Sequence, residues 1–167
     1  IGQARNSYTP AQIARYLTTI ASKGDLYSLS ILDKLTDSKE TLIEDYAPEI
    51  LEHIELKPST WKSIFSGMYK VIGNSSFLSI FSDLSVEVAG KSGTAQENAL
   101  RPDHGLFVCF APYDDPEITV TVVLPYGYGS YNSGSVAKNM LSYVFHENEA
   151  TDGKRQAADV DGTIVSD

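Results

Sequence analysis

The segment 106–111 constrains the fold more than any other part of the sequence, because it is apolar at every position. Successive side chains of a β-strand point to opposite faces of the sheet. One face of this strand would carry Phe107, Cys109 and Ala111, and the other would carry Leu106, Val108 and Phe110. A strand that is apolar on both faces is expected where helices cover the sheet on each side. The sequence therefore predicts a strand buried between two layers of helices.

Two further strands are expected beside this one. Apolar residues bounded by turn residues predict strands at about 85–95 and 117–124, with the central strand over 105–112. The tripeptide Asp-Asp-Pro at 114–116 has tight-turn chemistry. The last two strands are therefore predicted to form an antiparallel hairpin.

A second hairpin is predicted earlier in the chain. The segment 26–43 looks extended, because Tyr27, Leu29 and Ile31 alternate with polar positions. The tetrapeptide 36–39 that follows them has the composition of a turn.

The first helix is predicted from its capping residues. Thr9 suits the N-cap, Pro10 the first helical position, and Gln12 closes a capping box. The helix would run to about Ser22, with Gly24 in the left-handed conformation that often follows a helix. Its buried face would carry Ile13, Tyr16, Leu17 and Ile20.

Two more helices are predicted downstream. Pro58 opens one that would end at 73–74, with an apolar stripe at helical spacing. The stripe comprises Trp61, Ile64, Phe65, Met68, Val71 and Ile72. A last helix is expected over 135–145, after a loop at 126–134 that is rich in Gly, Tyr, Ser and Asn.

Composition agrees with one globular α+β domain, an antiparallel sheet flanked by helices. Of the 167 residues, 42% are apolar and 21% are charged, which is typical of a chain with an ordinary core. All the predicted elements lie within 1–146. The stretch 147–167 has little apolar content and no periodicity, so we expect a disordered acidic tail there.

Charge and apolar runs exclude several classes of partner and site. A formal net charge of -9 repels phosphate backbones, and no basic run exceeds the pair Lys154 and Arg155, so nucleic acid is not an expected partner. The single cysteine, Cys109, excludes an internal disulfide. No apolar run approaches the roughly 18 to 20 residues that cross a bilayer. A membrane anchor would have to belong to a segment outside this sequence.

The residues Lys91, Ser92, Gly93 and Thr94 form the strongest candidate site. On a strand, the hydroxyls of Ser92 and Thr94 would lie on one side and could both donate to a carboxylate. Gly93 between them would let a substrate backbone lie close to the strand edge. Lys91 adds a positive charge that attracts a carboxylate.

Two separated segments resemble class B penicillin-binding proteins. The first resembles their third active-site motif and the strand that follows it: Val88-Ala89-Gly90-Lys91-Ser92-Gly93-Thr94-Ala95-Gln96, then His104-Gly105-Leu106-Phe107-Val108-Cys109-Phe110-Ala111-Pro112. The second is similar to the segment that opens a helix in the same family: Gly2-Gln3, then Thr9-Pro10-Ala11-Gln12-Ile13-Ala14. The two occur in the family's order and spacing.

The resemblance implies the penicillin-binding protein and β-lactamase-like fold, with residues 1–146 as the C-terminal part of a transpeptidase domain. It also implies an activity: cross-linking of peptidoglycan stem peptides through an acyl-serine intermediate, with covalent binding of β-lactam antibiotics. The implied location is the extracytoplasmic face of the bacterial membrane, with an anchor preceding this chain. No cofactor and no metal are implied.

The same resemblance implies residue roles. Lys91 would tune electrostatics and proton transfer near the serine of the second family motif. Ser92 and Thr94 would hold the carboxylate of substrate or antibiotic, with Gly93 leaving room for the substrate. The backbone N–H of Thr94 would form half of the oxyanion hole, and the nucleophile's own N–H the other half.

The nucleophile of the family is not found at the expected place. Ser59-Thr60-Trp61-Lys62 has the letters of the Ser-x-x-Lys motif, but it follows the Gly-Gln segment that the family's nucleophile precedes. We interpret it as a chance match. The nucleophilic serine and the second motif are therefore expected on an N-terminal half that partners this chain, and this chain alone is expected to be inert.

The sequence leaves other functions open. A β-lactam sensor or a scaffolding homologue would share the fold, and a β-lactamase would add a deacylating water and its base. His104 and Cys109 are zinc-ligand types, but two candidates five positions apart are not a zinc signature. We expect Cys109 to be structural and His104 to cap the loop before its strand. The glycines of 127–134 lack the Lys-Ser/Thr of a phosphate-binding loop.

Overall fold

A three-stranded antiparallel sheet lies at the centre of the computed structural model, which describes residues 7–73 and 75–145. The elements, in chain order, are α1 (Pro10–Ala21), β1 (Asp25–Tyr27), β2 (Lys34–Thr36), β3 (Leu42–Asp45), β4 (Ile50–His53), α2 (Pro58–Ile72), α3 (Ser75–Phe81), β5 (Ala89–Ala95), β6 (His104–Ala111), β7 (Ile118–Leu124) and α4 (Ser130–Val144). The central sheet has the order β5-β6-β7, and both pairs are antiparallel. The predicted α+β class and the β6–β7 hairpin are confirmed.

The first face of β6 is covered by α3 and α4. Phe107, Cys109 and Ala111 lie in one core cluster and are fully buried. The ring of Phe107 stacks on Phe77 and Phe81 of α3, with ring centroids 4.9 Å and 5.5 Å apart. Ala137 and Leu141 complete the cluster from α4.

The second face of β6 is covered by α1 and α2. Phe110 is fully buried there, 4.8 Å from the ring of Phe65 between centroids. Leu17 and Ala21 reach the same cluster from α1, and Met68 reaches it from α2. The predicted division of the β6 side chains between two faces is therefore confirmed, and each face has its own helical layer.

The capping residues of α1 behave as predicted. The Thr9 hydroxyl accepts from the Gln12 N–H, and the Gln12 side chain accepts from the Thr9 N–H, so the capping box is complete. At the C-terminal end, Lys23 with a φ of +57° takes the left-handed conformation that was predicted for Gly24, whose φ is +129°. The predicted burial of Tyr16 is wrong, because its side chain is 67% exposed, whereas Leu17 beside it is buried.

Two elements in this part of the chain differ from the sequence expectation. The helix α3 was not predicted, and β5 begins at Ala89 instead of residue 85. The hairpin predicted within 26–43 forms between β2 and β3, whereas β1 pairs with β4. The predicted turn at 36–39 does connect β2 to β3.

The helix α4 begins at Ser130, five residues before the predicted start at 135. Small residues explain the difference, because they let the helix approach the sheet. A side chain on Gly134 would meet the ring of Phe77 at 2.9 Å, and one on Gly105 would meet the Ser133 hydroxyl at 2.7 Å. Tertiary packing thus overrides the low helix propensity of glycine and serine.

Some expectations concern residues outside the described part of the chain. They include the family-like Gly2-Gln3 pair and the acidic tail at 147–167. Within the described residues, no helix is both long and apolar enough to cross a membrane.

Replacing Leu141 with Ala should destabilise the fold, because this fully buried side chain fills the core between α4 and the sheet. A cavity of this kind costs about 2–5 kcal/mol. Leu100→Ala is the matched control, since Leu100 is 96% exposed and a surface change usually stays within about 0.5 kcal/mol. Urea unfolding measures both. Equal midpoints for the two variants would contradict the assigned core.

Candidate functional site

The residues Lys91, Ser92, Gly93 and Thr94 lie on β5, at an edge of the central sheet. Within residues 7–73 and 75–145 the strand β5 pairs with β6 only, so its second side carries backbone groups that the described sheet does not use. An edge strand presents alternate N–H and C=O groups away from its partner. The structure therefore places the four residues where a ligand can bind to backbone and side chains together.

Ser92 and Thr94 share one face of β5, as the sequence predicts. Ser92 lies opposite Phe107, and Thr94 lies opposite Gly105. Ser92 is half-buried and Thr94 is exposed. Two hydroxyl groups therefore stand on the same side of the strand, two positions apart, with no large side chain opposite Thr94.

Lys91 is exposed, and it lies opposite Val108, on the other face of the strand. Its ammonium group bends back along β5 and donates a hydrogen bond to the Ser92 carbonyl oxygen, 2.5 Å away. Among the ion pairs of residues 7–73 and 75–145, none involves Lys91. The positive charge thus lies beside the backbone of the motif and is not paired with a described carboxylate.

Two glycines of β5 have different surroundings. A side chain on Gly90 would meet the Phe107 ring and the Val108 carbonyl oxygen, each at 2.9 Å. A side chain on Gly93 would meet only Leu106 Cβ, at 3.3 Å. Gly90 is therefore required for packing of β5 on β6, a role that the sequence did not reveal. Gly93 has no side chain, so it leaves space for a ligand beside the hydroxyls.

The zinc hypothesis for His104 and Cys109 is not supported by their placement. Both lie on β6, five positions apart, so their side chains point to opposite faces about 16 Å apart along the strand. Burial raises the pKa of the Cys109 thiol to about 12, so the thiolate that binds metal is disfavoured. His104 caps a different segment from the loop before its strand, where the cap was predicted: its Nδ1 accepts a hydrogen bond from the N–H of Tyr126, in the turn after β7, at 3.1 Å.

The Ser59-x-x-Lys62 segment lies far from the candidate site. Lys62 lines a groove together with Tyr113 and Asp114, beyond the Ala111 end of β6. Thr94 pairs with Gly105, near the opposite end of β6, roughly 20 Å from Ala111 along the strand. This placement supports the interpretation of Ser59-x-x-Lys62 as a chance match.

A cluster of polar side chains lies just past the end of β5, and no motif in the sequence predicts it. It consists of Glu97, Arg101, His104 and Tyr126, and we call it the loop cluster. The Tyr126 hydroxyl donates to Glu97 at 2.9 Å and accepts from Arg101 at 2.8 Å. The only local signal is the i,i+4 spacing of Glu97 and Arg101, whose charged atoms are 3.7 Å apart. The other contacts depend on the turn after β7.

Comparison with known proteins shows the family of the chain. The family model described as the penicillin binding protein transpeptidase domain matches residues 1–146. The chain belongs to this family. The resemblance to class B penicillin-binding proteins that the sequence predicted is therefore confirmed.

Individual relatives give the same result. The peptidoglycan D,D-transpeptidase MrdA of Haemophilus influenzae is 30% identical over 165 residues, which are 88% of this chain and 25% of that protein. The structure of Pseudomonas aeruginosa PBP2 in complex with WCK 5153 matches with a TM-score of 0.67 and 30% identity, over 94% of this chain and 34% of that one.

A more distant structure shows the same fold. Penicillin-binding protein A from M. tuberculosis, in its imipenem acyl-enzyme complex, matches with a TM-score of 0.73 at 20% identity, over 87% of this chain and 32% of that one. The chain thus spans about a quarter of the H. influenzae protein and about a third of the two solved chains.

Replacing Gly90 with Ala should destabilise the protein by about 1–3 kcal/mol, because the added methyl group overpacks the contact with β6. Gly67→Ala is the matched control, since a side chain there meets nothing within 4 Å. Because Gly67 lies in the interior of α2, Gly67→Ala should stabilise the protein by about 0.5–1 kcal/mol. Thermal unfolding of both variants measures whether each change lowers or raises the stability of the protein. A Gly90→Ala variant as stable as the parent would contradict the tight pairing of β5.

Proposed function

We propose that this chain is the C-terminal part of the catalytic domain of a peptidoglycan D,D-transpeptidase. The observation that carries the proposal is the Lys91–Thr94 segment on an open sheet edge, in a chain that matches the family over residues 1–146. The imipenem acyl-enzyme complex of the M. tuberculosis relative is consistent with covalent binding of β-lactams in this family.

The reaction proceeds by acyl transfer through a serine. The serine oxygen attacks the carbonyl carbon of the penultimate D-alanine, the C–N bond to the terminal D-alanine breaks, and that amine leaves with a proton. An amine of a neighbouring stem peptide then attacks the ester and restores the serine hydroxyl. We assign the serine to the N-terminal half of the domain, because Ser59 lies away from the edge of β5.

Each residue of the β5 segment has a role in this reaction. The Ser92 and Thr94 hydroxyls donate to the terminal carboxylate of the substrate or antibiotic. The Lys91 ammonium lowers the energy of negative charge at the site and assists proton transfer. The Thr94 N–H donates to the developing oxyanion together with the N–H of the nucleophile. Gly93 allows the substrate to approach the strand.

The second open edge of the sheet supports the proposed partnership with the N-terminal half. In the part of the chain that the structure describes, the strand β7 pairs with β6 alone, and its sequence from Ile118 to Leu124 is entirely β-branched or apolar. An exposed edge of this length invites pairing with another strand. We assign that strand to the N-terminal half, which leaves β5 free for the substrate.

The proposed substrate sets the location. Peptidoglycan stem peptides lie outside the bacterial membrane, so we place the site on the extracytoplasmic face. We assign the membrane anchor to a segment that precedes this chain.

A fluorescent penicillin should label the full-length protein but not the isolated 167-residue chain. In the full-length protein, Lys91→Ala should slow labelling by about 100-fold or more, since it removes a group that takes part in proton transfer. Lys39→Ala is the matched control, because Lys39 is an exposed lysine in the β2–β3 turn. Gel fluorescence against time gives the rates.

Two outcomes would contradict this assignment. If the folded full-length protein takes up no label, the transpeptidase and sensor hypotheses both fail. If Lys91→Ala labels as fast as Lys39→Ala, the role of Lys91 is wrong. A label that is lost by rapid hydrolysis would instead indicate a β-lactamase.

Thr94→Val should weaken binding of the antibiotic carboxylate by about tenfold to a hundredfold, because it removes one hydrogen bond to a charged group. Thr94→Ser keeps the hydroxyl, and both variants keep the backbone N–H. The concentration dependence of acylation separates the apparent binding constant from the limiting rate. We expect Thr94→Ser to have the apparent binding constant of the parent. Equal apparent binding constants for Thr94→Val and Thr94→Ser would exclude a role of the hydroxyl in binding the carboxylate.

A further inference from the structure

The loop cluster joins three parts of the chain at the end of β5. Glu97 lies in the connection that leaves β5, Arg101 lies later in that connection, His104 begins β6, and Tyr126 follows β7. His104 is also the register partner of Ala95, the last residue of β5. The cluster therefore links the C-terminal end of the motif strand to both neighbouring strands.

The hydrogen bonds of the cluster fix the orientation of its side chains. His104 Nδ1 accepts from the Tyr126 N–H, so the neutral ring carries its proton on Nε2. That nitrogen lies 3.8 Å from the same Glu97 oxygen that accepts from the Tyr126 hydroxyl. The Glu97 carboxylate is therefore the centre of the cluster, with the phenol, the imidazole and the Arg101 guanidinium around it.

The backbone of Tyr126 shows that its position is strictly defined. Its φ is +56°, in a region that non-glycine residues seldom adopt. The His104 and Tyr126 rings lie 4.9 Å apart between centroids, and the Arg101 guanidinium lies 5.5 Å from the centre of the Tyr126 ring. The hydrogen bonds and the ring contacts thus hold one conformation of the turn after β7.

The location of the cluster gives it an effect on the candidate site. Glu97 is three residues after Thr94, and only β6 pairs with this end of β5. The ion pair of Glu97 with Arg101 is exposed, and exposed pairs add little to global stability. Misplacing a reacting group by about 1 Å, however, can slow a reaction about 100-fold.

We propose that the loop cluster positions the end of β5, and that Glu97 and Tyr126 are positioning residues for acylation. They hold the connection 96–103 so that the Thr94 hydroxyl faces the ligand carboxylate and the Thr94 N–H faces the reacting carbonyl group. The inference rests on the proposed transpeptidase function.

The test measures acylation of the full-length protein by a fluorescent penicillin in four variants. Tyr126→Phe removes the hydroxyl and keeps the ring and the backbone N–H, whereas Tyr128→Phe is the control in the same turn, since Tyr128 is 76% exposed. Glu97→Ala removes the acceptor, and Glu97→Gln restores an acceptor oxygen. Stopped-flow labelling gives a limiting rate and a labelled fraction, and thermal unfolding gives the Tm.

We expect Tyr126→Phe and Glu97→Ala to lower the limiting rate about tenfold or more, with Tm and labelled fraction unchanged. Glu97→Gln should recover part of the rate, and Tyr128→Phe should match the parent. A reduced labelled fraction with a normal rate would show a merely structural role and overturn the inference. Parental rates in Tyr126→Phe and Glu97→Ala would overturn it as well, while the proposed function would stand. A parent protein that takes no label would overturn both.

Discussion

The burial of β6 on both faces is the constraint on which the rest of the structure depends. Phe107 and Phe110 lie three positions apart in this strand and point to opposite sides, and both are fully buried. Two separate helical layers are required to remove both rings from water, and each fully buried ring of this kind is worth about 1.5–3 kcal/mol. The pairs α1–α2 and α3–α4 supply these layers, so the central strand determines where all four helices pack.

The central position of β6 also determines where the candidate site lies. With β6 between its neighbours, β5 and β7 are both edges of the described sheet. The outer backbone groups of the motif on β5 therefore stay available to a ligand. The strand is anchored at its first residue, Ala89, which lies in the buried cluster with Phe110. A rigid inner side and an open outer side are what a site needs to hold a peptide in extended form.

The parts of the fold that the sequence predicted depend on local patterns. The α1 cap depends on Thr9 and Gln12, three residues apart, and the two faces of β6 depend only on strand alternation. The start of α4 depends instead on contacts with Gly105, which is distant in sequence. The exposure of Tyr16 and the contacts of Tyr126 likewise arise from tertiary arrangement, so neither could be predicted from spacing.

The strand order places a requirement on the segment that carries the nucleophile. A strand added at the open edge of β7 would lie three strands away from β5, about 14 Å from it at the usual spacing. A strand there would therefore be too far from Thr94 to carry the nucleophile. The proposed N-terminal half would have to supply the nucleophile from a different element, one that lies beside the open outer edge of β5.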